Sequence, residues 1–437
     1  MSGYLDRFVA EARSRGELVV QPRMGFGAVD TMRAGLREVA GLGLPAVGTI
    51  TVDSYTRVGD HVSPLHRLRA GEEINGYPIV THPPERTRDM LAGLYGPSFP
   101  VQVRHGTALP QQVIAALVRA GLDTTEGGPV SYCLPYSRLP IAQAVEAWAE
   151  GCRLLADTTE RGHIESFGGC LLGQLCPPSL LIAVTVLEGR FFLQHGVRHM
   201  SLSYAQGTHG GQDRGALRAL RELAARYLGD ATWHVVLYTY MGLFPRTEAG
   251  AIGLIGDSAR LARDAGCERL IVKTVSEAWQ IPSVAENVRA LRLAAGVLPE
   301  SAAEGTRHGT ETRHADEYFS EILAEARCIV DAVLDLDADV GRALVKAFEN
   351  GILDIPFCLH RDNRGEATCT LDERGALVWA GTGNLPFRGR GRRGGTAPVG
   401  SDELYRMLNY VADRYDNGPF GRRTMSRSGE ELHDRRF

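Results

Sequence analysis

The chain has 437 residues, 44% of them apolar, with 48 basic and 52 acidic side chains and a formal charge of -4. That is enough apolar material for a large core, and there is no overall basic field to draw nucleic acid or an anionic membrane. Eight cysteines (Cys133, Cys152, Cys170, Cys176, Cys267, Cys328, Cys358, Cys369) form no Cys-x-x-Cys pair and no tight zinc spacing, so reduced, mostly buried thiols and no metal site are expected.

The first stretch, MSGYLDRFVAEARSRGE, carries charges throughout, and no run of 18 apolar residues follows anywhere, which leads us to expect a cytoplasmic protein. Eight short apolar runs then recur in order: ELVVQPR, GTITVDSYTR, VQVRHG, GLDTTEGG, GHIESFGG, VRHMSLSYAQG, TWHVVLYTYM and CERLIVKTVSEA. Between them lie segments of helical period, such as DTMRAGLREVAGL, LPQQVIAALVRAG, LPIAQAVEAWAEGCRLLADTTERG, SLLIAVTVLEGRFFLQHG, GALRALRELAARYLG and GLIGDSARLARDAG. This alternation predicts an α/β fold, a TIM (β/α)8 barrel over residues 1–300. Residues 301–437 form a C-terminal extension in this reading: a polar connection at 301–316, two helices, a Gly/Arg-rich loop in NLPFRGRGRRGGTAPVGSD and a charged tail.

Barrels of this kind carry their chemistry at the carboxyl ends of the strands. Polar residues collect there in this sequence. Arg23 ends run one, Arg57 ends run two, and Arg104 with His105 ends run three; Glu126 ends run four shortly before Tyr132 and Tyr136. A lone arginine at such a place is as often structural as functional. Three on neighbouring strands repel one another unless an anion joins them, and charge-assisted hydrogen bonds of about 1.5–3 kcal/mol each suit a dicarboxylate. Glu126 either neutralises one arginine or serves as amine anchor or general base, and tyrosines four apart are otherwise ordinary core residues. An amino dicarboxylic acid satisfies all these groups together.

Further along, Lys273 and Glu277 are spaced as an i,i+4 pair, Met241 ends run seven, and Gly25 offers bare backbone beside Arg23. The chain carries no GxGxxG with an acidic partner, no Walker loop, no GxSxG elbow and no HExxH.

The segments QPRMG, TVDSYTR, NGYP, QVRHGT, EGGPVSYCLPYS, LCPPS, VKTVSEA and FENGILDIPF, in that order, resemble the large epsilon subunit of glutamate mutase, or methylaspartate mutase. The resemblance covers about residues 17–360. It implies a barrel subunit that binds glutamate and shares adenosylcobalamin with a separate small subunit, with a homodimer core in a heterotetramer. Arg23, Arg57 and Arg104 match an arginine claw for the substrate carboxylates; Glu126 matches the amine contact, Tyr132 and Tyr136 the substrate tyrosines, and His105 the residue after the claw arginine, which makes Glu126 and His105 the implied catalytic pair. Gly25, Asn75, Met241, Lys273 and Glu277 match cofactor contacts, with Tyr410 as the aromatic contact near the end. The implied reaction interconverts glutamate and 3-methylaspartate by radical fragmentation and recombination. No Asp-x-His-x-x-Gly cobalt-ligand motif occurs, which implies that a partner must hold the cofactor.

Two other readings keep the barrel. One is a lyase, cofactor-independent or metal-assisted, using Glu126, His105 and Asp53; the other is a non-catalytic assembly subunit that binds an acidic amino acid. RNA binding through FRGRGRRGG alone is a weak fourth, since aromatics are not interleaved.

Overall fold

The computed structural model describes residues 3–172, 175–296, 315–387 and 399–418. All eight apolar runs form parallel strands: β1 (Val19–Pro22), β2 (Gly48–Thr51), β3 (Val101–Arg104), β4 (Thr124–Gly127), β5 (His163–Ser166), β6 (His199–Ala205), β7 (Thr232–Tyr238) and β8 (Arg269–Val272). Each pairs with the next from β2 to β8, and β8 returns to β1. The ring closes just before β2, where Val20 N–H donates to Pro45 O at 2.9 Å and Val47 N–H donates to Val20 O at 3.0 Å. The fold is a TIM barrel, as expected from the alternation.

The helices form where the 3.6-residue period predicts them, at Val29–Ala40, Gln111–Arg119, Ile141–Thr158, Pro178–Gln194, Gly210–Tyr227, Glu248–Asp264 and Val284–Ala294. The Pro178–Gln194 helix is apolar all round, which a surface helix would not tolerate. Its outer side is covered by the Ala315–Leu334 helix of the extension, whose Ile322, Ile329, Val330 and Val333 join the barrel core. The extension continues with the Val340–Asn350 helix, an antiparallel hairpin of β9 (Thr368–Leu371) and β10 (Leu377–Gly381), and the Ser401–Asp416 helix. Most of the 301–316 connection, the Gly/Arg-rich loop and the charged tail lie outside the described residues.

The barrel interior departs from the usual stack of branched aliphatic side chains. Arg269 and Glu165 form an ion pair there with both side chains wholly buried. Arg269 also donates to Gln21, to Ser201 Oγ at 2.8 Å and to Gln102 at 3.3 Å, while Ser201 donates to Glu165 at 2.8 Å. Burial alone would raise the Glu165 pKa, but the Arg269 guanidinium and the hydroxyls around it hold it below the ordinary carboxylate value. The Tyr4–Ser14 helix stoppers the amino end of the barrel, burying Leu5, Val9 and Ala12 against Val19 and Val47. Its Asp6 reaches inward to His163 Nδ1 at 3.0 Å and His199 Nδ1 at 2.9 Å.

A buried ion pair is costly to break, because the survivor is left charged and desolvated. Arg269→Met should therefore cost about 3–5 kcal/mol, read as a lowered urea midpoint. The double variant Glu165→Leu/Arg269→Met should recover part of that loss; an unchanged midpoint in the single variant would show that the pair does not support the barrel.

Candidate active site at the barrel mouth

Arg104 is the last residue of β3, and Arg23 lies one residue beyond β1. Arg57 differs from its expected place at a strand end. After Thr51 the chain turns into a single helical turn, Ser54–Arg57, because Asp53 caps it by accepting from Tyr55 N and Thr56 N, both at 2.9 Å. Asp53 also accepts from Thr56 Oγ1 at 2.6 Å, so it is committed to the cap. Arg57 thus reaches the mouth from the rim, where its Nε donates to Val52 O at 3.1 Å. The recess lowers its pKa by desolvation, and the nearby cations Arg104 and Arg23 lower it further against the pull of Tyr132 and Glu126. The Arg57 guanidinium lies against Gly106, two residues past Arg104, where a Cβ would fall 3.8 Å from Arg57 Nη1.

Each of the other two arginines rests on a carboxylate of the protein. Arg104 Nε donates to Glu126 Oε2 at 2.6 Å with both side chains buried. Burial opposes the Arg104 charge, but Glu126 and the neighbouring phenols raise its pKa well above the ordinary value. Arg23 Nη1 donates to Glu277 Oε1 at 2.9 Å, and the same oxygen lies 3.7 Å from Lys273 Nζ. Desolvation brings Lys273 down to about 8, with Glu277 resisting and Arg23 assisting. Its ammonium sits 4.9 Å from the centre of the Phe244 ring. Four cations thus face two carboxylates, leaving an excess of positive charge suited to a dianion.

Tyr132 and Tyr136 lie on helical turns after β4, the first buried and the second 55% exposed at the rim. Tyr132 donates to Glu126 Oε1, and its ring meets Tyr136 edge-on at 6.1 Å. His105 lies under them, stacked on Trp148 with centroids 5.6 Å apart. Its Nδ1 accepts from Thr107 N–H at 3.1 Å, and burial together with the Arg57 charge drives its pKa to about 3, so it is a neutral imidazole. Such a ring serves as a wall of the site and as a neutral hydrogen-bonding group.

The remaining candidates spread more widely. Gly25 runs against the end of β2, where a Cβ would fall 2.4 Å from Thr51 O, so no larger residue fits. Asn75 is exposed and bridges to Phe26 in the loop after β1. Met241 is half-buried just past β7. Tyr410 belongs to the Ser401–Asp416 helix, and its hydroxyl is pressed on the Gly375 turn of the hairpin.

Several groups at or beneath the mouth escaped the sequence reading. Tyr238 at the end of β7 donates to Glu126 Oε2 at 2.8 Å and contacts Glu165. The signal was present, since a tyrosine ended an apolar strand just as the arginines did. Glu188 had no such signal, because it sits in an apolar helix. It accepts from Val130 N at 3.2 Å, Ser131 N at 2.8 Å and Ser166 Oγ at 2.7 Å, so it ties down the turn that carries Tyr132. A Cβ on Gly128 would fall 2.0 Å from its carboxyl, which is why that turn needs glycine. At the opposite end of the barrel, Asp6, His163 and His234 lie close enough to hold a metal, but His163 already spends its second nitrogen on Ser201 at 3.1 Å and His234 Nε2 accepts from Arg269 at 3.3 Å.

Seven of the ten large apolar side chains exposed among the described residues lie on loops at this mouth: Val58, Val62, Leu109, Tyr136, Leu243, Trp279 and Ile281. The fold and these groups define a (β/α)8 protein with a cation-rich mouth inside an apolar rim. Residues 2–393 match the family described as Methylaspartate mutase E chain (MutE). Curated relatives bear the name glutamate mutase epsilon subunit: that of Halobacterium salinarum is 34% identical over 85% of this chain and 79% of its own length. Those of Haloarcula marismortui and Desulfitobacterium hafniense are each 33% identical, over 85% and 87% of this chain and 77% and 80% of their own lengths. The chain belongs to the methylaspartate mutase E chain family. No described helix is long and apolar enough to cross a membrane.

The Glu188 carboxyl is pushed up to about 7 by burial, against the pull of its three donors. Its folded pKa exceeds the unfolded value, so the folded chain binds the extra proton and stability falls as pH rises from about 4.5 to about 7. Glu188→Gln removes this titration while keeping an acceptor for the turn. Relative to wild type, the variant should gain stability across that window, by at most about 1.4 kcal/mol per pH unit, and level off above it. Urea unfolding at a series of pH values checks this, and parallel profiles would contradict it.

Proposed function

We propose that this chain is the catalytic subunit of an adenosylcobalamin-dependent isomerase that interconverts L-glutamate and (2S,3S)-3-methylaspartate. The observation that carries the reading is the buried group of Arg104, Glu126 and Tyr132 at the mouth, with Arg57 against Gly106 beside it and Arg23 paired with Glu277. Two carboxylates of one ligand suit the arginines, and its ammonium suits Glu126. The names of the relatives point to the same reaction.

On binding, Arg23 exchanges Glu277 for one carboxylate of the ligand, while Arg104 keeps its Nε on Glu126 and offers the rest of its fork to the other. The exchange is near neutral in charge, so much of the arginines' desolvation is met before the ligand arrives. Neutral His105 and buried Trp148 and Phe167 shape a wall that excludes water from the reacting carbons. Held at both ends, a fragmenting substrate keeps its pieces in register for recombination.

The rim fits a large, amphipathic cofactor presented by a partner. Its apolar side chains would cover such a group, Gly25 leaves bare backbone, and Lys273, Glu277 and Met241 offer polar and soft contacts beside it. Asn75 and Tyr410 are the outer candidates for the same role. Adenosylcobalamin would supply the radical that initiates hydrogen abstraction. We assign the cobalt-ligating group to a cobalamin-binding small subunit, in a heterotetramer built on a dimer of this chain.

The test combines this chain, the small subunit, adenosylcobalamin and carbon-13 glutamate without oxygen, and follows the methyl signal of 3-methylaspartate by NMR. The signal should require every component; its absence from a complex that holds cobalamin would overturn the assignment. Arg104→Lys keeps the charge but loses the planar fork, and should lower kcat/KM about ten- to hundredfold, the worth of one charge-assisted hydrogen bond. Unchanged kinetics would remove Arg104 from the site.

A further inference from the structure

The reading of Glu126 as the amine acceptor leaves open what aims its carboxylate. Oε2 accepts from two donors, Arg104 Nε at 2.6 Å and the Tyr238 hydroxyl at 2.8 Å. Oε1 accepts from Tyr132. A carboxylate oxygen has two lone pairs, so Oε2 is filled while Oε1 keeps one for a further donor. Arg104 and Tyr132 both belong to the ligand site, whereas Tyr238 reaches Glu126 from the far side of the barrel.

Tyr238 is itself held from below. Its hydroxyl contacts Glu165 Oε1, and Glu165 is clamped by Arg269 and Ser201. Its ring is fixed by Phe167, edge-on at 5.6 Å, and by the Arg104 guanidinium at 5.3 Å. Burial, Glu126 and Glu165 all push its pKa well above the ordinary phenol value, so it keeps its single proton. That proton lies between two buried carboxylates.

We propose that Tyr238 is a positioning residue that selects amino dicarboxylates over dicarboxylates without an amine, by filling Glu126 Oε2 and directing the ligand ammonium to Oε1. When the ammonium arrives it donates to the open lone pair of Oε1, while Arg104 and Tyr238 keep Oε2 occupied. The hydroxyl stands between the two carboxylates and separates one from the other. If it is removed, Oε2 is left with Arg104 alone, and the Glu126 carboxylate is free to turn away or to present either oxygen. Either change spoils the ammonium acceptor while the arginines still grip the carboxylates.

The experiment is calorimetric binding of L-glutamate and of glutarate, which lacks the amine, to the full chain in complex with its small subunit. Wild type should prefer glutamate. Tyr238→Phe should weaken glutamate about tenfold, the worth of one hydrogen bond to a charged group, and leave glutarate within about twofold. Equal loss of both ligands, or of neither, would overturn the role of Tyr238. A wild type that binds the two equally would overturn the amine role of Glu126, and that of Tyr238 with it. If Tyr238→Phe fails to fold, proton NMR of the wild type decides: the phenol proton, downfield of the amides, should shift with glutamate and not with glutarate. A shift with both, or with neither, counts against the proposal.

Discussion

The Arg269–Glu165 ion pair inside the barrel is the constraint on which the mouth stands. Two charges withdrawn from water cost several kcal/mol each, and they are tolerated because Gln21, Gln102, Ser201 and Tyr238 occupy nearly all their hydrogen-bonding positions. A satisfied network of this kind has few alternative arrangements. From it the order passes upward: Glu165 fixes Tyr238, Tyr238 meets Glu126, and Glu126 holds Arg104. An aliphatic interior could pack as tightly, but it would offer nothing with which to aim a carboxylate.

Above this column the mouth balances charge against exposure. Arg104 and Glu126 are buried as a pair, while Arg23, Glu277 and Lys273 form a second group nearer the rim. Neither arginine waits as a bare cation, which spares the fold the cost of an unpaired buried charge. Apolar side chains remain on the rim itself, where water would otherwise reach the charges. The loops that bear them hang on strands paired into a nearly closed ring.

The barrel was legible in the sequence because its two periodicities are local. Short β-branched runs and amphipathic helices alternate eight times, and every run became the strand expected of it. The arginine and carboxylate cluster was legible for the same reason, since residues at strand ends share one face of a barrel. Arg57 shows the limit. The chain after β2 looked like a continuing strand, but the Asp53 cap turned it into helix, so Arg57 arrives from the rim. The apolar helix containing Glu188 likewise made sense only once the extension was seen to cover it.

By itself, then, the sequence determined the fold class and most of the polar groups gathered at the carboxyl ends of the strands, because each follows from spacing along one segment. Tertiary structure alone decided the pairings: Tyr238 with Glu126 across the barrel, Arg23 with Glu277, Glu188 with the turn of Tyr132, and Arg269 with Glu165. These partners lie between 57 and 254 residues apart. A hydrogen bond depends on distance and angle in space, and no local pattern encodes which strand will face which once the sheet has closed.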